Sequence, residues 1–169
     1  MPPEVILRDA GESDVEALAQ LKKDYLCQRY RGSVPDEVID ELVSQDYQSV
    51  FQGWLLDGIH RIAVAEHAGR VDAYIVYRTQ QEDSWGMIVD ARDSGRVDSS
   101  VDRALLDFAV RDLVRQGPLK GIQLWLMRKN YRARFFFENY GFHQDGTIRT
   151  EARADSQYEF ARFAYPLQS

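Results

Sequence analysis

The spacing of apolar residues along the chain alternates between a period near 3.6 and a period near two, and each change marks an element. Residues 5–8 read as a short strand. Gly11-Glu12-Ser13-Asp14 has the composition of a helix start, with Ser13 expected as the N-cap and Glu16 at the capping-box position. Val15, Leu18, Leu21 and Tyr25 form a helical stripe that ends near Cys27. Ser33-Val34-Pro35-Asp36 opens another helix, with proline in the first turn and an acid favourable to the dipole. Its apolar face carries Val38, Ile39, Leu42 and Val43, and Tyr47, Val50, Phe51 and Trp54 extend helical structure to about Leu56.

After Asp57-Gly58 the period becomes two. Residues 60–67 and 70–79 are expected strands, joined by a hairpin turn at Ala68-Gly69. Residues 84–90 form a third strand of this run, and residues 91–99, polar and glycine-containing, read as a loop. Ser99 or Ser100 can cap the next helix, with Asp102 in its first turn. That helix buries Val101, Leu105, Phe108 and Leu113 and stops at Gly117-Pro118. Residues 122–127 are an apolar run too short for a helix. Ala133, Phe136, Phe137 and Tyr140 then recur at helical spacing, and Gly141 supplies a left-handed cap. Two strands, 142–150 and 158–167, close the chain.

This order mixes hairpins with strand-helix-strand crossovers. It predicts an α/β (α+β) fold: a mixed, mostly antiparallel sheet of about seven strands flanked by about four helices. The 169 residues are most simply one domain, 1–169, with no repeat or interdomain linker. No apolar run approaches the roughly 18 residues of a membrane helix, and Met1-Pro2-Pro3-Glu4 is unlike a signal peptide. The single cysteine, Cys27, excludes an internal disulfide framework and fits a cytoplasmic setting. No Cys/His cluster has metal-ligand spacing. A net charge of −6 argues against nucleic acid, whose phosphates need a concentrated basic surface.

Asn130 stands where a strand hands over to a helix, and Asn-x-x-Ala-x-x-Phe-Phe-Glu-x-x-Gly-Phe follows from it: Asn130, Ala133, Phe136, Phe137, Glu138, Gly141 and Phe142. The run resembles the C-terminal signature of the GCN5-related N-acetyltransferases, with Phe137 where that family usually has tyrosine. The element order resembles the family's fold over the whole chain. The resemblance implies a sheet splayed between its fourth and fifth strands, with an acyl-CoA thioester, most simply acetyl-CoA, in the split. It implies direct transfer of the acyl group to a primary amine of a small molecule. No metal, nucleic acid or membrane is expected to take part, and a homodimer is compatible with the reading.

That chemistry needs a pyrophosphate cradle, an oxyanion donor, a base, and a group to meet the departing thiolate. The family's cradle is a Gln/Arg-x-x-Gly-x-Gly/Ala loop entering a helix. The matching residues here are Arg96, Val97, Asp98, Ser99, Ser100 and Val101, with no glycine after Gly95. A carboxylate about 6 Å from a phosphate charge costs roughly 3 kcal/mol at a dielectric of 20, about a hundredfold in affinity. Arg96 and Arg103 oppose that cost, so weak CoA binding is expected. The resemblance assigns the oxyanion donor to the backbone N–H groups near Ile88 and Val89, and the pantetheine contact to Asn130, with Ala133, Phe136 and Phe137 lining the cofactor.

For the base, Asp90 closes the strand that lines the split and is the first candidate, followed by Glu66 and His67. Phe137 cannot protonate a thiolate, and Tyr140, one turn on, is the remaining candidate acid. Asp24, Asp36, Glu37, Asp40, Glu41 and Asp46, with Tyr25, Tyr30, Tyr47 and Trp54, suit a cationic amine acceptor. They equally suit the outer and inner faces of ordinary helices. The alternative to an enzyme is a catalytically degenerate binding or regulatory module of the same fold, or an acyltransferase fed by another acyl carrier.

Overall fold

Turn chemistry divides the chain where the period changes. Ala68 and Gly69 take φ of 53° and 76°, the mirror-image turn that a two-residue hairpin requires. They join β2 (His60–His67) to β3 (Arg70–Gln80). The computed structural model describes residues 4–32, 34–80, 83–153 and 156–167. Its other elements are β1 (Val5–Asp9), α1 (Val15–Tyr30), α2 (Asp36–Val43), α3 (Tyr47–Leu56), β4 (Trp85–Asp93), α4 (Ser99–Gln116), β5 (Gly121–Met127), α5 (Tyr131–Tyr140), β6 (His143–Arg153) and β7 (Ser156–Pro166). The strands form one mixed sheet in the order β1-β2-β3-β4-β5-β7-β6. β4 and β5 run parallel, as a crossover through α4 requires; β1–β2, β5–β7 and β6–β7 are antiparallel.

Two helices were expected before β2, and there are three. Asp46 caps α3 by accepting the Ser49 amide and hydroxyl, which separates it from α2. The expected cap Ser13 instead lies inside a short 3-10 turn, Glu12–Asp14. Gly11 is the N-cap of that turn, and Asp14 at its third position reaches back, its carboxylate accepting the Gly11 amide at 2.8 Å while Arg8 holds it from the other side. α1 runs three residues past Cys27 to Tyr30, whose ring meets that of Tyr25 edge-on with centroids 6.1 Å apart. Ser33 lies outside the described residues, and Pro35 takes the N-cap place of α2.

Contacts group the chain into two compact units. The first comprises residues 1–77 and 90–111. In it α1 packs on α2 and α3, and α3 packs on β2. Leu18, Ile39, Phe51, Tyr74 and Tyr77 are fully buried, with Phe51 edge-on to Tyr74 at 5.2 Å. The second unit comprises residues 78–89 and 112–169. β5 is laddered along its whole length to β7. A Cβ on Gly121 would lie 2.4 Å from Trp85 and 2.6 Å from the Tyr165 carbonyl, so only glycine lets these strands close up. Phe137, Phe142, Tyr140 and Tyr165 form an aromatic cluster beside α5, with ring centroids 5.3–5.9 Å apart.

Candidate functional site

Asp90, the first candidate base, ends a stretch of β4 whose alternate residues Gly86, Ile88 and Asp90 are buried. Its carboxylate accepts from Lys22 at 2.7 Å and from the Tyr74 hydroxyl at 2.8 Å, and Arg92 lies 3.3 Å away. Burial alone would push its acidity constant up. The charges of Arg92 and Lys22, with hydrogen bonds from Lys22 and Tyr74, outweigh burial and hold it below the ordinary carboxylate range. The Tyr74 phenol is raised well above its usual value by burial, then by the Asp90 charge. The rings of Tyr47 and Tyr25 cover Lys22 and Arg92 at 4.9 and 4.5 Å. A carboxylate so stabilised is a weak base and a strong counter-ion. Of the other candidates, Glu66 accepts from Arg8 at 2.9 Å, and His67 Nδ1 is buried without a hydrogen-bond partner among the described residues.

The segment from β4 to α4 belongs to the same unit. The expected loop is shorter at its start, because β4 continues to Asp93. Neither Ser99 nor Ser100 caps α4. Asp98 does so, its carboxylate accepting both the amide (2.9 Å) and the hydroxyl of Ser100. An internal carboxylate thus occupies the amide at the helix start, where the family's loop leaves backbone N–H groups for phosphate. Ser99 is exposed and Val97 and Val101 are half-buried. Arg96 points elsewhere: its Nε donates to Asp72 at 3.1 Å. Asp102 hydrogen-bonds Asp93, and burial together with the Asp93 charge pushes Asp102 up to about 8.

Within the second unit the β4–β5 ladder has three pairs, Trp85–Gly121, Gly86–Ile122 and Met87–Gln123. No further pair joins these strands among the described residues. Successive backbone amides of a strand point to opposite edges, so one of the Ile88 and Val89 N–H groups faces the unpaired side. Asn130 caps α5 by accepting the Ala133 amide at 3.3 Å. Its side-chain NH2 has no protein acceptor among the described residues. Gly141 takes φ of 128° and closes the helix, as the sequence implies. Phe137 is 7% exposed and lies edge-on between Phe136 and Phe142. Phe136 and Tyr140 are half-buried.

The acids expected to build a cationic acceptor site are not gathered into one wall. Asp24, Asp36, Glu37, Asp40, Glu41 and Asp46 are all exposed. Asp24 accepts from Gln20, Asp36 pairs with Arg31, and Asp46 is the α3 cap. Tyr47, by contrast, is buried. Sequence reasoning missed Lys22 and Arg92 as the partners of Asp90, and Arg70 as a partner of Asp72. Asp72 was the available signal, because an acid inside the apolar run Val71-Asp72-Ala73-Tyr74-Ile75 must be paired to be buried. Among the described residues no group of three His, Cys, Asp or Glu side chains is placed to hold a metal, and no helix is long and apolar enough to cross a membrane.

At the level of sequence, no family model and no curated protein matches the chain. Solved structures match its fold almost end to end. PaiA N-acetyltransferase from Thermoplasma acidophilum in complex with coenzyme A is 14% identical, with a TM-score of 0.81, covering 97% of this chain and 99% of that one. The ribosomal-protein-S18-alanine N-acetyltransferase from Escherichia coli is also 14% identical, with a TM-score of 0.73 over 98% of this chain and 96% of that one. An acetyltransferase of the GNAT family from Streptococcus pneumoniae is 16% identical, with a TM-score of 0.71 over 98% of this chain and 100% of that one. The fold of this chain is therefore the acetyltransferase fold that the sequence motif implied.

Proposed function

We propose that the protein is an acyl-CoA-dependent N-acyltransferase that moves an acetyl group from acetyl-CoA to a primary amine of a small molecule. The observation that carries the reading is the parting of parallel β4 and β5 after Met87–Gln123, in a chain with the acetyltransferase fold. The parting leaves a strand-edge amide at Ile88 or Val89 for the thioester carbonyl, and the Asn130 side-chain NH2 is a donor for the pantetheine amide. The amine nitrogen attacks the carbonyl carbon, the C–S bond breaks, and the thiol leaves with a proton while the amide forms.

In this reading Asp90 is not the base. Its strong donors hold it ionised, and it fixes Lys22 and Arg92 in the first unit. The amine therefore arrives neutral, and the rate follows the acceptor's own ionisation. Tyr140 remains the proposed donor to the departing sulfur. Arg96, Val97, Ser99, Ser100 and Val101, with Ala133 and Phe136, keep their proposed place along the cofactor, while Asp98 is spent on capping α4 and Phe137 on the aromatic packing beside α5.

The test is amine-dependent release of CoA thiol from acetyl-CoA across a panel of small primary amines, with the acetylated product identified by mass. At least one amine should accelerate release. Tyr140→Phe should slow it tenfold or more below pH 8.5, near the ordinary thiol value, and converge with the parent above it. Binding of acetyl-CoA without amine-dependent release would favour the binding-module reading, which the Asp98 cap also suits.

A further inference from the structure

Asp72 sits in β3 with its side chain fully buried. Arg70 grips it with two bonds, Nε to Oδ1 and one terminal nitrogen to Oδ2, both 3.1 Å. Arg96 comes from the loop after β4 and donates Nε to the same Oδ1 at 3.1 Å. Ser94 ties its own amide to the Asp72 carbonyl, and its hydroxyl receives the Arg96 amide. His67 Nδ1 lies 3.7 Å from Asp72 Oδ2, too far for a hydrogen bond. One buried carboxylate thus aligns two guanidiniums whose side chains are 50% and 58% exposed. Among the described residues, no protein acceptor meets the two terminal amino groups of Arg96 or the second terminal group of Arg70. Two positive charges against one negative leave a surplus positive charge at the surface, in a chain whose net charge is −6.

From this geometry we infer that Arg70 and Arg96, braced by Asp72, form a phosphate-binding site, and that it takes over the work of the α4 start. Two observations converge on it. The helix start is already served by Asp98, which accepts the Ser100 amide and would repel a second anion there. The arginine pair offers what that start lacks: planar donors already oriented, their charge only partly neutralised. Bracing matters because an unbraced arginine loses side-chain freedom on gripping a ligand, whereas these two are already held. The inference deepens the acyl-CoA reading and rests on it for the identity of the phosphate, which is either the pyrophosphate or the 3′-phosphate of CoA.

The experiment titrates the full-length protein with CoA, 3′-dephospho-CoA and inorganic pyrophosphate, for the parent and for Arg70→Gln, Arg96→Gln and Asp98→Ala. CoA should bind at least tenfold more weakly to either arginine variant and with a shallower salt dependence. Asp98→Ala should move the affinity less than threefold. Equal losses for CoA and dephospho-CoA would assign the site to the pyrophosphate. A dephospho-CoA affinity already reduced, and indifferent to the variants, would assign it to the 3′-phosphate. Unfolding midpoints guard against loss of fold, and Arg70→Lys and Arg96→Lys, which keep the charge but not the braced planar fork, should bind more weakly than the parent and more tightly than the glutamine variants. Unchanged CoA affinity in both glutamine variants would overturn the inference. So would tightening of tenfold or more in Asp98→Ala, which would return the phosphate to the helix start, and so would the absence of CoA and pyrophosphate binding to the parent. Arginine-dependent CoA binding without any acyl transfer would leave the phosphate site standing and remove only the enzymatic reading.

Discussion

Two side chains carry consequences that single substitutions can read. Asp102 is raised from an ordinary 3.8 to about 8 by burial, then by the Asp93 charge and their shared hydrogen bond. Between those values the folded chain holds a proton that the unfolded chain has released. Stability contributed by this group therefore falls as pH rises from about 4 to about 8, at no more than roughly 1.4 kcal/mol per pH unit. Asp102→Asn keeps a donor towards Asp93 and removes the titration. Its stability advantage over the parent should grow from pH 5 to pH 8 in denaturant unfolding; a constant difference would show that Asp102 titrates normally. Phe137 poses a different question, because the family's tyrosine there would face the leaving sulfur. The ring is instead packed against Phe136 and Phe142. Phe137→Tyr buries a hydroxyl among aromatic rings and should cost about 1–3 kcal/mol, read as a lower unfolding midpoint, with no gain in turnover at any pH. A rise in turnover with the midpoint unchanged would put the position back beside the thioester.

At the scale of elements, glycines separate close approach from idle flexibility. A Cβ on Gly121 would strike Trp85 and the Tyr165 backbone, whereas one on Gly53, inside α3, would meet nothing within 4 Å. Gly121→Ala should destabilise by about 1–3 kcal/mol or more, and Gly53→Ala should stabilise by about 0.5–1 kcal/mol. Thermal midpoints moving in the same direction for both would contradict this packing. The elements themselves were largely legible because period and turn chemistry agree, as at Ala68-Gly69 and at Asn130 to Gly141. The helix starts were not. Ser13, Ser99 and Ser100 all have cap chemistry, yet Ser13 lies inside the 3-10 turn whose N-cap is Gly11, and Asp98 caps α4. Serine and aspartate cap about equally well, so local sequence cannot rank neighbours one or two residues apart. The break between α2 and α3 was hidden for a related reason, since both helices present apolar stripes and only the Asp46 cap divides them.

At the scale of the molecule, the motif running from Asn130 to Phe142 was enough to name the fold, and the strand order agrees with it. The candidate site was less legible. Which acid is spent on structure depends on partners far away in sequence: Lys22 for Asp90 is 68 positions off, and Arg96 for Asp72 is 24. No local pattern announces such pairs, and the strand-end aspartate read as a base lies buried against Lys22, Arg92 and the Tyr74 hydroxyl. The same accounting explains the exposed acids of α2, which have water and each other's helix for company and no common partner. The claim on which all of this depends is that the chain binds an acyl-CoA. Calorimetric titration of the full-length protein with acetyl-CoA tests it most directly. The account predicts one-to-one binding with a dissociation constant in the tens of micromolar, matched by about 2 kcal/mol of added stability at 1 mM ligand. No heat and no shift in the unfolding midpoint at millimolar acetyl-CoA would contradict it.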